Sequence, residues 1–319
     1  MGNLKRIPKW IMKYNEILAI YDEQADKVML IEDYGPEKGF FIEAWRYHHF
    51  PRTSKLVEKS YREGSKTIFI LSPGKVKLNL IPSFAPIGIS ECKVNKNQIE
   101  IVYEGYGGGG VSASYSRGLA KGVLQSKVIR KSGGRGLGKG KIVLPKNYFI
   151  LIAIDDTDNE KEGATYALVH NISNLLIKKE PVRYLTHGNI QLYPYNPHKT
   201  ANCFSTVVGF SYKDRSLKEK IINFFVKQLK KYTLSKETAM VVYDGFYLPQ
   251  PLIDLSYALK FHFFDDIEKI REIAKKNKVE VYEITGERGI IGAMGALGLY
   301  DNPEFASSLP KGYTHPIYL

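Results

Sequence analysis

Cysteine is scarce in this sequence: Cys92 and Cys203 are its two cysteines, which excludes a disulfide framework and a four-cysteine zinc site. Long apolar runs are missing as well, since no stretch reaches the roughly eighteen residues of a membrane-spanning helix. The first sixteen residues are basic but lack the apolar stretch and cleavage site of a secretory signal. We therefore predict a cytoplasmic protein with reduced thiols and no membrane partner.

Acidic residues are few, with 33 Asp and Glu against 46 Lys and Arg, and the formal net charge is +13. Such an excess favours polyanionic partners such as RNA, nucleotides or an acidic protein surface. The alternative is a lysine-rich composition of the kind that heat-adapted proteins show, because the lysines are spread widely. The length of 319 residues and the hydrophobic content of 44% predict a globular protein of two domains.

Residues 105–146 contain no acidic residue at all, while they hold twelve glycines and nine Lys or Arg. A run of glycines in this stretch precedes a predicted helix that ends near residue 124. Backbone N–H groups at the start of a helix bind anions, so Gly108, Gly109 and Ser112 are predicted to bind a phosphate. The alternative is a flexible linker between domains.

One pattern in the same stretch resembles a phosphate-binding P-loop. Residues 133–139 fit G-x-x-x-x-G-K, but Gly140 follows where a Ser or Thr would hold Mg²⁺. Residues 141–144 are strand-like where a helix is required. We therefore reject a Walker A motif.

The stretch with the strongest chemical signal joins a buried strand, predicted at 148–153, to three carboxylates in four positions. The residues after the strand are Asp155, Asp156, Thr157 and Asp158, and a helix is predicted at 163–177. Ligands bind at such strand ends in open α/β sheets. Adjacent carboxylates repel each other, and Mg²⁺ that carries substrate phosphates would relieve the repulsion. The alternative is an acidic turn that caps the helix through Thr157 or Asp158.

The pattern along the chain predicts three regions and an α+β or α/β fold class. They are a strand-rich N-terminal domain at 1–104, a basic glycine-rich connecting segment with a helix at 105–146, and an α/β domain with a mixed sheet at 147–319. The first region is predicted to have strands at 16–22, 27–33, 67–71, 76–80, 91–94 and 98–103. The last is predicted to have strands at 148–153, 182–186, 189–193, 204–210, 239–243 and 279–284, with helices at 163–177, 216–232, 251–261, 265–277 and 290–299.

Three blocks of the last region occur in the order found in a known family. They are Ile154-Asp155-Asp156-Thr157-Asp158, then Asn196-Pro197 with Lys199, Thr200 and Asn202, then Gly286-Glu287-Arg288-Gly289-Ile290-Ile291-Gly292-Ala293. Over residues 148–300 the chain thereby resembles the kinase-like catalytic region of archaeal tRNA agmatidine synthetase. That family activates a tRNA cytidine with ATP and attaches agmatine. The pattern of the whole chain, with the glycine stretch and the block at 154–165, resembles the methanogenesis marker protein 11 family.

The resemblance implies ATP and Mg²⁺ as cofactors and assigns a role to each matching residue. Asp155 and Asp156 would hold the metal, and Thr157 would contact or accept a phosphoryl group beside Asp158. Lys199 and Arg288 would neutralise the triphosphate, and Thr200, Asn202, Gly286 and Gly289 would complete the ATP site, the glycines by letting the backbone approach the ligand. The glycine stretch would supply a second anion-binding element through Gly108, Gly109 and Ser112.

The resemblance therefore implies a Mg-dependent ATP-binding enzyme, a phosphotransferase or ATPase that serves methanogenesis through cofactor or enzyme maturation. Two alternatives stay open: an RNA-binding protein with a kinase-like domain, and a tRNA-modifying enzyme. The segment 105–146 would bind RNA or an acidic protein. Against RNA chemistry, the 319 residues match neither the oligonucleotide-binding domain nor the zinc ribbon of the synthetase, and Ala201 departs from its pattern.

Overall fold

The computed structural model describes residues 11–35, 45–80, 86–132, 135–200 and 202–313. The chain forms two compact units, Met1–Asn147 and Tyr148–Leu319. Residues 133 and 134 of the rejected P-loop pattern, and Ala201, lie outside the described residues. Within the described ranges, no helix combines the length and the apolar character that crossing a membrane requires.

The described part of the N-terminal unit consists of two sheets and two helices. Its strands are β1 Glu16–Asp22, β2 Lys27–Asp33, β3 Val57–Glu63, β4 Lys66–Leu71, β5 Gly74–Lys75, β6 Ile87–Val94, β7 Gln98–Tyr106, β8 Gln125–Arg130 and β9 Leu137–Pro145, and its helices are α1 Trp45–Thr53 and α2 Gly109–Gly118. One sheet has the order β1-β2-β4-β3 and the other β5-β6-β7-β9-β8. The hairpin predicted at 16–22 and 27–33 has these bounds, whereas residues 76–80 form no strand.

Residues 105–146 differ from the connecting segment that the sequence predicts, because they build part of the N-terminal unit. They contribute α2, β8 and β9, and β9 pairs with β7 from Gln98↔Pro145 to Tyr106↔Leu137. Ile142 and Leu144 of β9 are fully buried in the core of this unit. The pairing of β9 with β7 and the burial of its apolar end therefore matter more than the high glycine content of the segment.

The C-terminal unit is an α+β domain with one five-stranded sheet. Its elements in chain order are β10 Tyr148–Asp155, α3 Thr165–Lys179, β11 Arg183–Gln191, β12 Phe204–Tyr212, α4 Leu217–Tyr232, β13 Ala239–Tyr243, α5 Gln250–Phe261, α6 Ile267–Lys276, β14 Glu280–Glu283, α7 Gly289–Leu297 and α8 Pro303–Ser307. The strand order is β11-β12-β10-β13-β14, and the four pairings between described strands are antiparallel, whereas the sequence predicts a mixed sheet. A single strand, β11, replaces the two strands predicted at 182–186 and 189–193.

The central strand β10 is covered by helices on both faces, which explains its almost wholly apolar sequence. Ile150, Ile152 and Ile154 pack in the core cluster that includes side chains of α3 and α4. The alternate residues of β10 face the other way, towards α7, which packs on β10, β12 and β13. Asp155 falls in this second set, so the strand alternation directs its side chain to the α7 face.

Candidate functional site

A cavity of about 360 Å³ lies in the C-terminal unit at the end of β10. Seven of the predicted site residues line it, and they come from all three sequence blocks: Asp155, Asp156, Asp158, Lys199, Thr200, Asn202 and Arg288. The fold thus brings together residues that are more than one hundred positions apart in the sequence. The carboxylates stand in the same cavity as two cationic side chains, Lys199 and Arg288.

Asp155 is the last residue of β10, and its carboxylate lies against the backbone of α7 at Gly292. A Cβ atom on Gly292 would be 1.8 Å from Oδ2 of Asp155, so only glycine leaves room for the carboxylate. The side chain is partly exposed through the cavity and otherwise surrounded by protein atoms. This desolvation raises the pKa of Asp155 well above its ordinary value, and the neighbouring Asp156 raises it further, although a hydrogen bond with Ser205 opposes the shift.

Asp156 has a left-handed backbone conformation, with φ of 62°, which is uncommon for a residue with a side chain. Two hydroxyl groups of the loop before β13 hold it: Thr238 donates to its carbonyl oxygen at 2.5 Å and Ser235 donates to Oδ1 at 3.0 Å. Burial raises the pKa of Asp156 also, while the hydrogen bond from Ser235 opposes this shift and Asp158 adds to it. The protein therefore holds two adjacent carboxylates in a setting that disfavours their charge.

The cationic residues of the cavity differ in how they are held. Arg288 precedes α7, and its Nη1 atom donates to Oδ1 of Asp265 at 3.1 Å. Lys199 makes a backbone hydrogen bond to Asn196, and the structure records no ion pair for its side chain within the described residues. The hydroxyl group of Thr200 donates to Asp158 at 3.5 Å. Lys199 is thus available to an anionic ligand, whereas Arg288 must share its charge with Asp265.

Thr157 lies beneath the cavity and not in its lining. It is 2% exposed, and both its N–H and its hydroxyl group donate to the hydroxyl oxygen of Thr165, at 3.2 and 3.0 Å. The N-cap of α3 is Ala164, and no side chain caps the helix. The acidic residues after β10 therefore do not act as the helix cap that was the alternative prediction.

The glycines of the third block pack against protein backbone. A Cβ atom on Gly286 would meet the carbonyl oxygen of Lys236 at 2.3 Å, and one on Gly289 would meet the N atom of Ala239 at 2.7 Å. Neither glycine is among the residues that line the cavity, and both lie close to the backbone at 236–239. Their predicted contact with a ligand stays a prediction. Gly292, by contrast, lines the cavity and makes room for Asp155.

The carboxylates fit a magnesium ion that brings its own phosphate ligands. In the described residues no group of three or more His, Cys, Asp and Glu side chains is arranged to hold a metal ion. Mg²⁺ commonly takes one or two carboxylates and completes its shell with water and substrate phosphates. Asp155 and Asp156 supply that minimal donor set, and a divalent cation would offset the repulsion that raises their pKa values.

The sequence did not indicate several residues of the cavity wall. Three aromatic side chains that line it are unusually exposed: Tyr166 at 47%, Phe263 at 43% and Phe204 at 37%. Asp265, the partner of Arg288, also lines the cavity. The Phe263-Phe264 pair after α5 gave a usable signal, because two adjacent aromatic residues outside a helix or strand have no core position to fill.

The glycine stretch lies in the other unit and does not line this cavity. Gly108, with φ of 84°, is the N-cap of α2, and Gly109 and Ser112 line a separate cavity of about 330 Å³. These three residues thus belong to a different unit from the cavity, and their part in ATP binding stays a prediction.

Most of the basic residues at 105–146 have acidic partners elsewhere in the N-terminal unit. Five of the nine form ion pairs: Arg117 with Glu32, Arg130 and Lys139 with Glu104, Lys141 with Glu100, and Lys146 with Glu23. Within the ranges that the structure describes, Lys121, Lys127, Lys131 and Arg135 have none. The charge that this segment offers to RNA or an acidic protein is therefore smaller than its composition indicates.

Comparison with known proteins places the resemblance in the C-terminal unit. Residues 151–286 match the TiaS TCKD domain family. The chain is 30% identical over 161 residues to the tRNA 2-agmatinylcytidine synthetase TiaS of Saccharolobus islandicus, a match that covers 47% of this chain and 35% of the synthetase. The chain thus spans about a third of the length of that enzyme. The predicted relationship to the synthetase is confirmed for this segment.

Two solved structures also resemble part of the chain. They are the complex of TiaS with its tRNA and ATP, with 17% identity and a TM-score of 0.41, and the complex of TiaS with its tRNA, AMPCPP and agmatine, with 15% identity and a TM-score of 0.41. Each match covers 47% of this chain and 36% of the TiaS chain. TiaS itself therefore binds ATP and tRNA.

A second relative matches nearly the whole chain. It is the Methanocaldococcus jannaschii protein named uncharacterized protein MJ0921, which is 40% identical over 300 residues, 93% of this chain and 97% of the relative. Resemblance to the methanogenesis marker protein 11 family stays a prediction. The chain belongs to the same family as the M. jannaschii protein, and its C-terminal unit carries a domain related to the TiaS TCKD domain.

Proposed function

We propose that the C-terminal unit binds ATP with Mg²⁺ in the 360 Å³ cavity and is a phosphotransferase or ATPase related to TiaS. The observation that carries the proposal is the state of Asp155. Its pKa is raised by desolvation and by Asp156, and the structure records no ion pair for it in the described residues. A carboxylate that lies in a cavity and has a strongly perturbed pKa is a candidate functional group.

The residues of the cavity divide the work of phosphoryl transfer between them. Asp155 and Asp156 would hold the metal ion, which when bound supplies positive charge to the phosphate oxygens. Lys199 and Arg288 would bind the same triphosphate from the other two sequence blocks, and Asn202 lies beside them. Asp158 holds Thr200 and so positions the loop that carries Lys199.

Thr157 could contact or accept a phosphoryl group only after a local rearrangement. Its hydroxyl group is engaged with Thr165 and is nearly inaccessible. To contact or accept a phosphoryl group, the hydroxyl would have to break that hydrogen bond and rotate into the cavity. We therefore assign the first steps of ATP binding to the other residues and leave Thr157 as a phosphoryl acceptor that requires opening.

The biological setting in the proposal follows the sequence resemblance. A role in methanogenesis, in the maturation of a cofactor or an enzyme, is supported by the pattern of the whole chain. The second candidate is an enzyme or binding protein that acts on tRNA, and the observation that favours it is that TiaS, the relative of this segment, forms a complex with its tRNA. A steep loss of tRNA affinity with added salt, together with ATP turnover that tRNA stimulates, would favour this candidate.

The test is calorimetric titration of Mg·ATP and Mg·AMPCPP into the wild-type protein and the Asp155→Asn variant. We expect the variant to bind at least about tenfold more weakly, since a charge-assisted contact to the metal and phosphates is lost. Asp254→Asn is the matched control, because Asp254 lies in α5 outside the cavity lining and is exposed. Equal affinity of wild type and Asp155→Asn would remove this site from consideration. Release of ADP with and without EDTA then separates an enzyme from a binding protein.

A further inference from the structure

The second cavity, in the N-terminal unit, presents positive charge to its contents. Arg46 from α1 and Arg117 from α2 line it, and they are only 1% and 3% exposed. The described residues of the lining include no Asp and no Glu. Two guanidinium groups therefore face a space of about 330 Å³, and the described part of its wall holds no carboxylate.

The arginines are fixed in place by a carboxylate that is not part of the lining. Arg117 donates through Nε and Nη2 to the two oxygens of Glu32, at 2.5 and 2.7 Å, and Arg46 donates through Nη1 to the same group. Tyr103 donates to Glu32 at 2.7 Å. Burial lowers the pKa of Arg117, but the charge of Glu32 outweighs it and the pKa lies well above its ordinary value. Glu32 thus keeps Arg117 charged and orients both guanidinium groups.

Aromatic rings enclose these guanidinium groups and form the walls of the cavity. The guanidinium carbon of Arg46 lies 4.8 Å from the ring centre of Tyr14 and 4.7 Å from that of Tyr34. Trp45 and Tyr106 line the cavity as well, and Tyr106 is 46% exposed. Planar side chains with few rotatable bonds give the cavity a rigid and partly apolar wall.

The amino-terminal end of α2 adds further positive charge to the cavity. Gly107 and Gly108 have positive φ values of 60° and 84°, and the turn they form lets the helix begin at Gly109 in the cavity wall. Ser112, in the first turn, also lines the cavity. The partial positive charge of the helix amino terminus therefore supports the two guanidinium groups.

We propose that this cavity binds a small organic anion, with one carboxylate or phosphate group against Arg46 and Arg117. A planar or apolar body would lie against Tyr34, Trp45 and Tyr106. The volume is that of a small-molecule site. Guanidinium groups recognise both anionic groups through paired N–H donors, so the experiment must distinguish a carboxylate from a phosphate. The proposal is independent of the ATP site, because every residue that carries it belongs to the N-terminal unit.

The test is calorimetric titration of the full chain with four probes: benzoate, phenyl phosphate, inorganic phosphate and benzamide. We expect saturable binding of benzoate or phenyl phosphate, at least tenfold tighter than that of benzamide, which has the ring without the charge. The tighter of the two ligands identifies the anionic group. Benzamide binding as well as benzoate, or no saturable binding of either anion, would overturn the proposal. Inorganic phosphate as tight as phenyl phosphate would overturn the part that assigns the aromatic wall to the ligand.

Variants of Ser112 locate the binding without disturbing Glu32. Ser112→Glu puts a carboxylate in the cavity, and the fold should tolerate it because an acidic residue in the first turn of a helix is favourable. Ser112→Gln has nearly the same size and no charge. We expect the Glu variant to lose at least tenfold in affinity for the better probe and the Gln variant less than threefold, with unchanged thermal unfolding of both proteins. Equal losses, or no loss in the Glu variant, would contradict an electrostatic anion site.

Discussion

The two units each contain one carboxylate that is desolvated by the protein around it, and the two are treated in opposite ways. Glu32 in the N-terminal unit is fully buried, and Arg46, Arg117 and Tyr103 donate to its oxygens. Burial would raise the pKa of Glu32, but the two arginines lower it below its ordinary value. Asp155 in the C-terminal unit has a second carboxylate as its neighbour, and its pKa is raised.

The difference separates a carboxylate whose charged form is stabilised by the fold from one whose charged form is destabilised by it. A buried carboxylate with matched donors is stable as an ion, and its removal leaves the donors without their partner. A carboxylate without a cation gains when a cationic ligand arrives, so the fold keeps it at some cost in stability. Glu32 is thus a structural carboxylate, and the contrast supports the proposal that Asp155 is a functional one.

The largest effect should come from Glu32→Gln. The change leaves Arg117 and Arg46 buried with a neutral amide in place of the carboxylate, and breaking one side of such a pair costs about 3–5 kcal/mol. Urea unfolding followed by circular dichroism measures this loss. Glu58→Gln is the control, because Glu58 pairs with Lys27 in a partly exposed position, where a loss below about 1 kcal/mol is expected. A loss for Glu32→Gln as small as that of the control would break the comparison.

The next effect concerns the space in which Asp155 lies. In Gly292→Ala the new methyl group would overlap Oδ2 of Asp155, so the carboxylate or α7 must move, at a cost of about 1–3 kcal/mol. We expect calorimetry to show that Mg·ATP affinity falls at least about tenfold. Gly295→Ala is the control on the same helix, where the added atom meets the ends of the flexible Leu192 side chain at 3.0 Å. ATP affinity that survives in Gly292→Ala would place the nucleotide elsewhere.

What the sequence predicts well in this chain is local. The run from Tyr148 to Ala153 is apolar and ends in acidic residues, so both the strand and the place of Asp155 at its end followed from neighbouring residues alone. The contact of Asp155 with Gly292 joins residues far apart in the sequence and depends on the angle at which α7 crosses the sheet. No local pattern encodes that angle, so the sequence did not indicate the contact between Gly292 and Asp155.

Composition was the weakest guide. The glycines and lysines at 105–146 indicated a connecting segment with free charge. Instead, much of the segment is paired in the ladder between β7 and β9, and carboxylates of neighbouring strands form ion pairs with several of its basic side chains. In the C-terminal unit, pairing with β12 likewise makes β11 one strand where the sequence predicted two. Asp265 and Phe263 line the cavity from the loop between α5 and α6, where no periodicity marks them and the adjacent pair Phe263-Phe264 is the local signal.

A smaller effect, opposite in sign to that of Glu32→Gln, is expected for Asp155→Asn in the absence of ATP and with EDTA present. The amide keeps the shape of the side chain and removes a charge that the surroundings disfavour. We expect the variant to be more stable than wild type by about 1–2 kcal/mol, which raises the thermal midpoint by several degrees. Differential scanning calorimetry measures it. A variant less stable than wild type would mean that Asp155 is a structural carboxylate like Glu32.

The pH dependence of that difference follows from the direction of the shift. The pKa of Asp155 is higher in the folded protein than in the unfolded chain. Protonation of this group therefore stabilises the fold at low pH, and the contribution is lost as the pH rises through the folded pKa. Wild type should therefore lose stability relative to Asp155→Asn as the pH rises from about 4, the ordinary pKa of an aspartate, through the raised pKa of the folded protein. The two unfolding curves, measured in EDTA across that range, should diverge as pH rises. Curves that converge would mean that the pKa of Asp155 is lowered.

The smallest effect is expected for Asp265→Asn, which tests whether Asp265 orients Arg288 or competes with the phosphates for it. The two side chains are 43% and 35% exposed and lie 3.1 Å apart, so Asp265→Asn should change stability by less than about 0.5 kcal/mol. Asp265 places a negative charge in the lining of the cavity that we propose holds a triphosphate. It also accepts a hydrogen bond from Arg288, which would otherwise be available to the phosphates. Its removal should tighten Mg·ATP binding by about two- to threefold, because Arg288 is released and a repulsion is lost. His198, whose Nε2 atom lies 3.8 Å from the same carboxylate, makes His198→Gln a useful control, since that change leaves Arg288 and Asp265 in place. Weaker binding in Asp265→Asn would show instead that Asp265 orients Arg288 towards the phosphates, and the cavity would then resemble the Glu32 cluster, where a carboxylate positions the arginine beside it.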